Sequence, residues 1–309
     1  MHNGGDMIAY LRRKEYEETD SKIIPFNDIF PVLYGEIEFR NDSAYVRGVN
    51  LNTMDLMYFR AVGNAYDIVN RLLGIAREHT IPTVDWYLAA NGAGPRTKEA
   101  MHNALSEYLL QPEFAMASGL RNTEDAARSI ELSYPYVAKV SKGGRQGMGT
   151  FLISGPDDIA GIRAELVRRH EEEEGYVYSG GSCDWIVQAY IPNDGDYRAF
   201  IIGGECIGVT KRGPKRAGLV INKSERGSRR FRNQRWPRDI GRLAVNASRV
   251  MKVDIAGVDI VRHSLTGQPY VIEVNETPRF KSFERTTKIN VAERIVDYLR
   301  GRINGREQA

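Results

Sequence analysis

The chain has 309 residues, with 43 Lys and Arg against 40 Asp and Glu, a formal net charge of +3 and 42% apolar residues. This composition is typical of a folded globular protein of about two domains, and it excludes collagen-like, disordered and disulfide-scaffold classes. The N-terminus becomes charged before a signal-peptide core could form, and no run approaches the ~18 apolar residues of a membrane span, so we expect a cytoplasmic protein with no membrane partner.

The first 94 residues are predicted to form a small α/β domain. Short strands are predicted at residues 7–11, 34–39, 44–49, 55–60 and 82–88. Apolar residues at helical spacing predict a helix over 64–79, with Asn64 as its N-cap. The stretch NGAGPRT at 91–97 predicts a linker, so we place a domain boundary there.

Beyond residue 94, helices alternate with antiparallel strand pairs, which predicts an α+β fold. The predicted helices cover residues 98–110, 156–172, 237–252 and 290–301. The predicted strands cover residues 135–140, 150–153, 185–191, 257–261 and 270–275. Gly203-Gly204, between YRAFII and ECIGVTK, predicts a tight β-hairpin.

A glycine-rich loop lies between the strands predicted at 135–140 and 150–153. It holds Gly143, Gly144, Gly147 and Gly149, and Lys139 comes just before it. Without Cβ atoms, such a loop lets backbone amides approach phosphate oxygens, and Lys139 can neutralise a phosphate. The loop matches neither a Walker A motif nor a Rossmann fingerprint, so a flexible hairpin turn is the alternative.

Two apolar strands near the C-terminus carry oxygen-bearing side chains. If GVDIV and VIEVN pair with Val261 opposite Val271, Asp259 lies opposite Glu273. Side chains of a strand alternate between faces, so Asn275 shares the face of Glu273. Carboxylates on adjacent strands repel each other unless a cation sits between them, and a few oxygen ligands suit Mg²⁺. The alternative is an exposed hairpin face with acids placed there by chance.

A third motif joins the strand end at Gln188–Ile191 to Asp196 and Arg198. A strand end can offer backbone groups to a purine, an acid such as Asp196 can hold ribose hydroxyls, and Arg198 can face a phosphate or a carboxylate. The alternative is a structural salt bridge of Asp196.

Other sequence features are weaker. Two cysteines, Cys183 and Cys206, are too few for a disulfide framework and predict reduced thiols. Seven arginines between Arg226 and Arg242 predict a solvated face, a grip on a polyanionic ligand or a nucleic-acid patch. The sequence has no HExxH, no GxSxG and no Cys/His spacing that would indicate a nucleophile.

Taken in this order, the three motifs resemble the ATP-grasp superfamily, and within it the RimK-type amino acid ligases. The similarity covers about residues 95–303, and AVNASRVMKVDIAGVDIV, VIEVNETPRF and FERTTKINVAERIVDYL are its most specific stretches. The resemblance implies an α+β ATP-grasp fold with two subdomains that grip ATP, at 95–184 and 185–309, after an N-terminal substrate domain at 1–94.

The resemblance also implies a role for each matching residue. Arg198 and Arg226 would be catalytic, near the transferred phosphate and the acyl-phosphate. Asp259, Glu273 and Asn275 would ligate Mg²⁺, with two ions bridged by Glu273 and Mn²⁺ as a substitute. The ATP-binding residues would be Lys98, Lys139, Gly143, Gln146, Gly147, Gly149, Gln188, Ala189, Tyr190, Ile191 and Asp196.

The implied reaction is ATP-dependent carboxylate–amine ligation through an acyl-phosphate, which needs no side-chain nucleophile. Arg279 and Lys281 stand where the family usually has small residues, and they favour an acidic substrate such as glutamate or the acidic tail of a peptide or protein. The resemblance further favours a homo-oligomer. Nucleic acid is an unlikely partner, because the net charge is small and only Phe231 and Trp236 interleave aromatic rings with the arginine run. Two alternatives stay open, namely an ATP-grasp phosphotransferase and a non-catalytic ATP or nucleic-acid binding protein.

Overall fold

A computed structural model describes residues 37–46, 48–60, 65–94, 97–141, 149–172, 184–213, 228–230 and 236–304. The predicted strand at 7–11, the cap Asn64, Cys183, Arg226 and the loop residues Gly143, Gln146 and Gly147 lie outside these ranges. None of the helices in these ranges is long and apolar enough to cross a membrane.

The first part of the described chain is a small α/β unit. An antiparallel sheet is formed by β1 (Ile37–Arg40), β2 (Ser43–Val46) and β3 (Val49–Asn50). A parallel pair is formed by β4 (Met57–Tyr58) and β5 (Thr83–Val84), with α1 (Tyr66–Glu78) between them in the chain. The helix buries Val69, Leu72 and Leu73 against the strands.

The strand predicted at 82–88 is partly wrong. Strand β5 ends at Val84, and the chain turns at Asp85 into a short helix, α2 (Trp86–Asn91). Aromatic residues such as Trp86 are common in strands, and this favoured a strand in the sequence analysis. In the structure Trp86 is exposed and begins a helix after the extended Asp85. Helix α2 also extends into the stretch that we predicted as a linker.

The middle of the chain forms a four-stranded antiparallel sheet. Its strands lie in the order β6, β9, β7, β8, with β6 (Phe114–Ser118), β7 (Tyr136–Val140), β8 (Thr150–Ile153) and β9 (Asp184–Ala189). The helices on this sheet are α4 (Thr123–Ser129) and α5 (Asp158–Glu172), whereas α3 (Lys98–Ser106) buries Met101 and Leu105 in the core of the C-terminal sheet. Trp185, Tyr136 and Phe151 fill the core of this part. Sequence analysis missed β6 and α4, since the alanine-rich FAMAS segment lacks the β-branched residues of a strand signal.

The C-terminal part forms a five-stranded antiparallel sheet in the order β12, β11, β10, β13, β14. Its strands are β10 (Asp196–Ile202), β11 (Glu205–Arg212), β12 (Ser228–Arg230), β13 (Ile255–Arg262) and β14 (Pro269–Asn275). The predicted hairpin at Gly203-Gly204 is confirmed. Both glycines have a positive φ, +59° and +79°, which matches the twist that a two-residue hairpin turn requires.

Helices cover both faces of this sheet. Helix α6 (Arg238–Val250) buries Ile240, Ala244 and Ala247 on one face, against Tyr197, Ala199 and Val258 among others. On the other face lie α7 (Lys281–Thr287), which we did not predict, and α8 (Val291–Asn304), which pack around Phe200. Because alternate residues of β10 and β13 point to α6, the residues between them point to the opposite face.

A β-bulge changes the register of β13 and β14. Asp259 lies opposite Glu273, as predicted, but Ile260 lies opposite Val271, so the predicted pairing of Val261 with Val271 is wrong. One extra residue in β14 therefore separates the two pairs, and both Val271 and Val274 join the core under α6.

Candidate functional site

The predicted metal residue Asp259 lies at the centre of a cluster of charged side chains on the face of the five-stranded sheet opposite α6. Its Oδ1 accepts hydrogen bonds from Arg198 Nη1 at 2.7 Å and from Arg212 Nη2 at 2.9 Å. Burial alone would raise the pKa of Asp259, but the two guanidinium groups outweigh it and hold that pKa below its ordinary value. Asp259 is therefore an anion.

Glu273 and Asn275 flank this carboxylate on the neighbouring strand. The register places Glu273 opposite Asp259 and Asn275 opposite Gly257, on the same side of β14. Asn275 Oδ1 accepts from the backbone N–H of Thr277 at 2.9 Å, which fixes the orientation of the amide. Its oxygen keeps a second lone pair. Gly257 leaves room for this arrangement, since an added Cβ would lie 2.8 Å from both Arg198 Cζ and Pro278 Cβ.

These three residues offer oxygen atoms only, which suits Mg²⁺. The ranges that the structure describes hold no group of three or more His, Cys, Asp or Glu side chains that could bind a metal ion. A cation here would thus have two carboxylates and one amide as protein ligands. Such a sparse set fits an ion that takes its remaining ligands from water and from substrate phosphates.

Asp196 forms an ion pair. The sequence analysis gave such a salt bridge as the alternative to binding ribose hydroxyls. Its Oδ2 accepts from Arg212 Nη2, so this guanidinium joins Asp196 to Asp259. Asp196 is 7% exposed, and its Oδ1 has no hydrogen-bond partner among the described residues. The carboxylate therefore keeps one acceptor for a hydroxyl group. Sequence analysis missed Arg212, whose position at the end of β11 carried no motif.

Two lysines predicted to contact ATP lie on the side of the four-stranded sheet. Lys139 is buried on β7, and its Nζ donates to Gln188 Oε1 at 2.5 Å. Lys98 begins α3, and its Nζ donates to the carbonyl of Val140 at 2.9 Å. Burial lowers the pKa of Lys98, and the charge of Glu273 opposes that shift. Lys98 therefore connects the two groups of predicted site residues electrostatically.

A buried histidine that sequence analysis had assigned no chemistry lies beside the lysines. His102 is fully buried one turn after Lys98. Its Nδ1–H donates to Gln111 Oε1 at 2.9 Å, and Gln111 Nε2 donates to the carbonyl of Val271. Burial lowers the pKa of His102 to about 4, and the charges of Lys139 and Lys98 add to that effect. The imidazole is therefore neutral, and no sequence spacing indicated this.

The predicted purine-binding segment begins where β9 ends. The Ala189 N–H donates to the carbonyl of Glu113 at 2.8 Å, so that N–H is already used within the protein. Tyr190 and Ile191 are half-buried, and the Ile191 carbonyl accepts from Asn193. A purine would therefore have to contact the other backbone N–H and carbonyl groups of Gln188–Ile191.

The N-terminal part also reaches the segment that follows the predicted metal ligands. Arg60 is 6% exposed, donates from Nη2 to the carbonyl of Pro278 at 2.9 Å, and packs over the ring of Phe280. Nothing in the sequence singled out Arg60. The contact fixes the backbone just before Arg279, the exposed cation that we associated with an acidic substrate.

Among the site side chains described above, the cations outnumber the carboxylates by four to three. The cations are Lys98, Lys139, Arg198 and Arg212, and the carboxylates are Asp196, Asp259 and Glu273. Of the predicted glycine loop, only Gly149 is described, with a φ of +88°. Such a set can hold a polyanion together with a divalent cation.

Comparison with known proteins finds related sequences over much of the chain. A sequence model of the RimK-like ATP-grasp domain matches residues 98–299. A probable alpha-L-glutamate ligase 2 of Hahella chejuensis is 36% identical over 124 residues, or 40% of each chain. A probable alpha-L-glutamate ligase of Ectopseudomonas mendocina is 35% identical over 167 residues, covering 53% of this chain and 50% of the relative. The chain thus matches half or less of the length of these two relatives.

Solved structures share the fold. The ATP-grasp ligase PsnB, complexed with precursor peptide PsnA2 and AMPPNP, superposes with a TM-score of 0.62 and 14% identity over 96% of this chain and 94% of that one. The VanG D-Ala:D-Ser ligase from Enterococcus faecalis superposes with a TM-score of 0.53 and 19% identity over 76% and 69% of the two chains. At these identities the likeness is one of fold.

Proposed function

The chain belongs to the RimK-like ATP-grasp family, and from that premise we propose that it is an ATP-dependent carboxylate–amine ligase. The family match also confirms the predicted α+β ATP-grasp fold. The observation that carries the proposal is the pairing of Asp259 with Glu273 on adjacent strands, with Arg198 bonded to Asp259. A surface hairpin with chance acids would leave them exposed, whereas Asp259 and Glu273 are half-buried and Asp259 is bonded to an arginine.

The proposed reaction joins a carboxylate to an amine. The carboxylate oxygen attacks the γ-phosphorus of ATP, which gives an acyl-phosphate and releases ADP. The amine nitrogen then attacks the acyl carbon, the C–O bond to phosphate breaks, and the amine loses a proton. Phosphorylation is needed because an oxide ion is a poor leaving group. The protein acts by positioning the reactants and neutralising charge.

The cationic side chains have the main role in this scheme. Arg198 lies next to Asp259, where it would stabilise charge on the transferred phosphoryl group, and Arg226 would act on the acyl-phosphate. Lys98 and Lys139 would contact the triphosphate. Burial lowers the pKa of Lys98, so an anionic neighbour such as a phosphate would favour its charged form.

Mg²⁺ would be held by Asp259, Glu273 and Asn275. When bound, it would neutralise part of the negative charge of the triphosphate. We propose two ions with Glu273 as the bridging ligand, and Mn²⁺ as a substitute. In the structure Asp259 has two guanidinium partners, so Arg198 and Arg212 keep this carboxylate ionised for a cation.

The nucleotide would lie along the end of β9. Gln188, Ala189, Tyr190 and Ile191 would line the purine, and Asp196 Oδ1 would accept from a ribose hydroxyl. The glycine loop, with Gly143, Gln146, Gly147 and Gly149, would cover the phosphates.

The substrates that we propose are an acidic amino acid such as glutamate and a peptide, protein or small-molecule partner. The names of the two bacterial relatives support the amino acid, and the PsnB complex with a precursor peptide supports a peptide. Residues 1–94 would select the substrate, with 95–184 and 185–309 as the two halves that hold ATP. We further propose a cytoplasmic homo-oligomer that does not act on nucleic acid.

The test is ADP release with Mg-ATP and the twenty amino acids, with mass spectrometry of the products. Glu273→Gln keeps the size of the side chain but removes its charge, so we expect a loss of several orders of magnitude in rate. Glu293→Gln is the matched control, since Glu293 is exposed in the first turn of α8. A product mass equal to two reactants minus water would establish ligation.

Other outcomes would decide against parts of the proposal. Near-wild-type turnover by Glu273→Gln would refute the metal assignment. ADP formed with a phosphorylated product and no amide would indicate a phosphotransferase. Tight ATP binding without ADP release, in the presence of cell extract as a source of acceptors, would indicate a binding protein.

The acidic substrate has its own test. Exposed charges such as Arg279 are screened over ~8–10 Å at physiological salt, so activity should fall steeply between low and moderate salt. A flat salt response would count against an acidic substrate.

A further inference from the structure

A groove lies along helix α6, on the face of the five-stranded sheet away from Asp259. It has a volume of about 760 Å³, and its apolar lining comes from Cys206, Trp236 and Val245. Helix α6 packs on the face of β10 and β13 that carries Tyr197, Ala199 and Val258, whereas Arg198 and Asp259 point to the other face. This groove is therefore separate from the candidate site.

Three arginines of α6 border the groove: Arg238, Arg242 and Arg249. All three are exposed, and within the described ranges none of them forms an ion pair. The acid next to them in the chain, Asp239, pairs instead with Arg262 at 2.6 Å. The edge of the groove therefore presents three exposed cations that have no carboxylate partner among the described residues.

The floor of the groove is apolar and close-packed. Gly241 lets Trp236 lie directly on the helix, because a Cβ at that position would be 3.0 Å from Trp236 Nε1. Cys206 contributes a neutral thiol, since burial raises its pKa to about 11. Val245 and Trp236 are only half-buried by the rest of the protein.

The spacing of the arginines sets the size of a ligand. At 1.5 Å per residue, Arg238 and Arg242 are about 6 Å apart along the helix axis, and Arg249 follows about 10 Å further on. A chain that reaches all three must extend about 16 Å, which is about five residues of extended polypeptide.

We propose that this groove binds an acidic peptide segment of a partner protein, with carboxylates on the three arginines and an apolar side chain on Trp236. Charge complementarity gives the anionic character of the partner. The apolar floor favours a polypeptide over nucleic acid, since a sugar-phosphate backbone has no aliphatic side chain to bury and one tryptophan offers a single stacking platform. The partner protein would thus bind on the face of the five-stranded sheet opposite the candidate site.

The experiment measures binding of a fluorescein-labelled peptide of about twelve residues, in which two leucines stand among glutamates, by fluorescence anisotropy at ~50 mM salt. The test variant is Arg238→Gln/Arg242→Gln/Arg249→Gln. The control removes three exposed arginines of other helices, as Arg163→Gln/Arg294→Gln/Arg302→Gln, so both variants lose the same charge. Thermal melting checks that both variants fold.

We expect the test variant to bind the peptide about tenfold more weakly than wild type, and the control to bind it within about twofold. Trp236→Ala should weaken binding without a change in charge, and a peptide with glutamine in place of glutamate should not bind. Equal losses in both triple variants would overturn the proposal, because they would indicate a non-specific charge effect. Absence of peptide binding, preference for a uridine oligonucleotide, or a dimer that the test variant dissociates would also overturn it.

Discussion

The buried His102 gives a sharp prediction about stability and pH. Its pKa is about 4 in the folded chain against an ordinary 6.5, because burial and the lysine charges disfavour the imidazolium. As the pH falls below 6.5, the unfolded chain takes up this proton first, and the folded chain takes it up only near pH 4. The free energy of unfolding therefore decreases as the pH is lowered from about 6.5 to about 4.

The size of the effect follows from the two pKa values. At ~1.36 kcal/mol per pH unit, the full loss is about 3 kcal/mol below pH 4, and about 2 kcal/mol is lost between pH 7.5 and pH 5. His102→Gln cannot titrate, so its stability should fall by about 2 kcal/mol less than that of the wild type over the same interval. The variant should still be less stable at pH 7.5, since it loses ring packing against Phe114.

Urea unfolding followed by tryptophan fluorescence at pH 7.5, 6 and 5 measures the difference. His79→Gln is the control, because it makes the same exchange at an exposed histidine. Parallel pH profiles for wild type and His102→Gln would refute the reasoning, since they would show that His102 takes up its proton equally in both states.

Three further predictions concern the sheet that carries the site. Asp259→Asn removes the anion shared by Arg198 and Arg212, and should lower the free energy of unfolding by about 2 kcal/mol in urea melts. Gly257→Ala places a Cβ against Arg198, so ADP release should fall at least about tenfold while stability falls by only about 1–3 kcal/mol. Phe200→Ala leaves a cavity in the core beneath α7 and α8, and should cost about 3–5 kcal/mol of unfolding free energy in a calorimetric melt.

Much of the fold was predictable because local signals were strong. The hairpin at Gly203-Gly204 needs two positive φ angles, and the sequence supplies the two residues that adopt them freely. Helix α6 lies within two residues of its predicted bounds and helix α8 within three, since each has an apolar stripe at helical spacing. Short elements without a periodic pattern, such as β6 and α7, were missed because their packing partners alone stabilise them.

The candidate site was predictable where a motif carried its residues. The opposition of Asp259 and Glu273 followed from strand alternation and pairing, and the structure confirms it. Arg212 and Arg60 could not be found, because each reaches the site from an element distant in the chain and neither lies in a recognisable pattern.

The sequence by itself determined the class of the fold, the family and the identity of the oxygen-bearing residues, because these depend on residue types at fixed spacings along the chain. Only the tertiary structure decided that a bulge separates Asp259–Glu273 from the next pair, that Arg212 joins Asp196 to Asp259, and that His102 is neutral. The physical reason is that bulges, ion pairs and burial depend on which segments meet in space, and those contacts leave no periodic signal in the sequence.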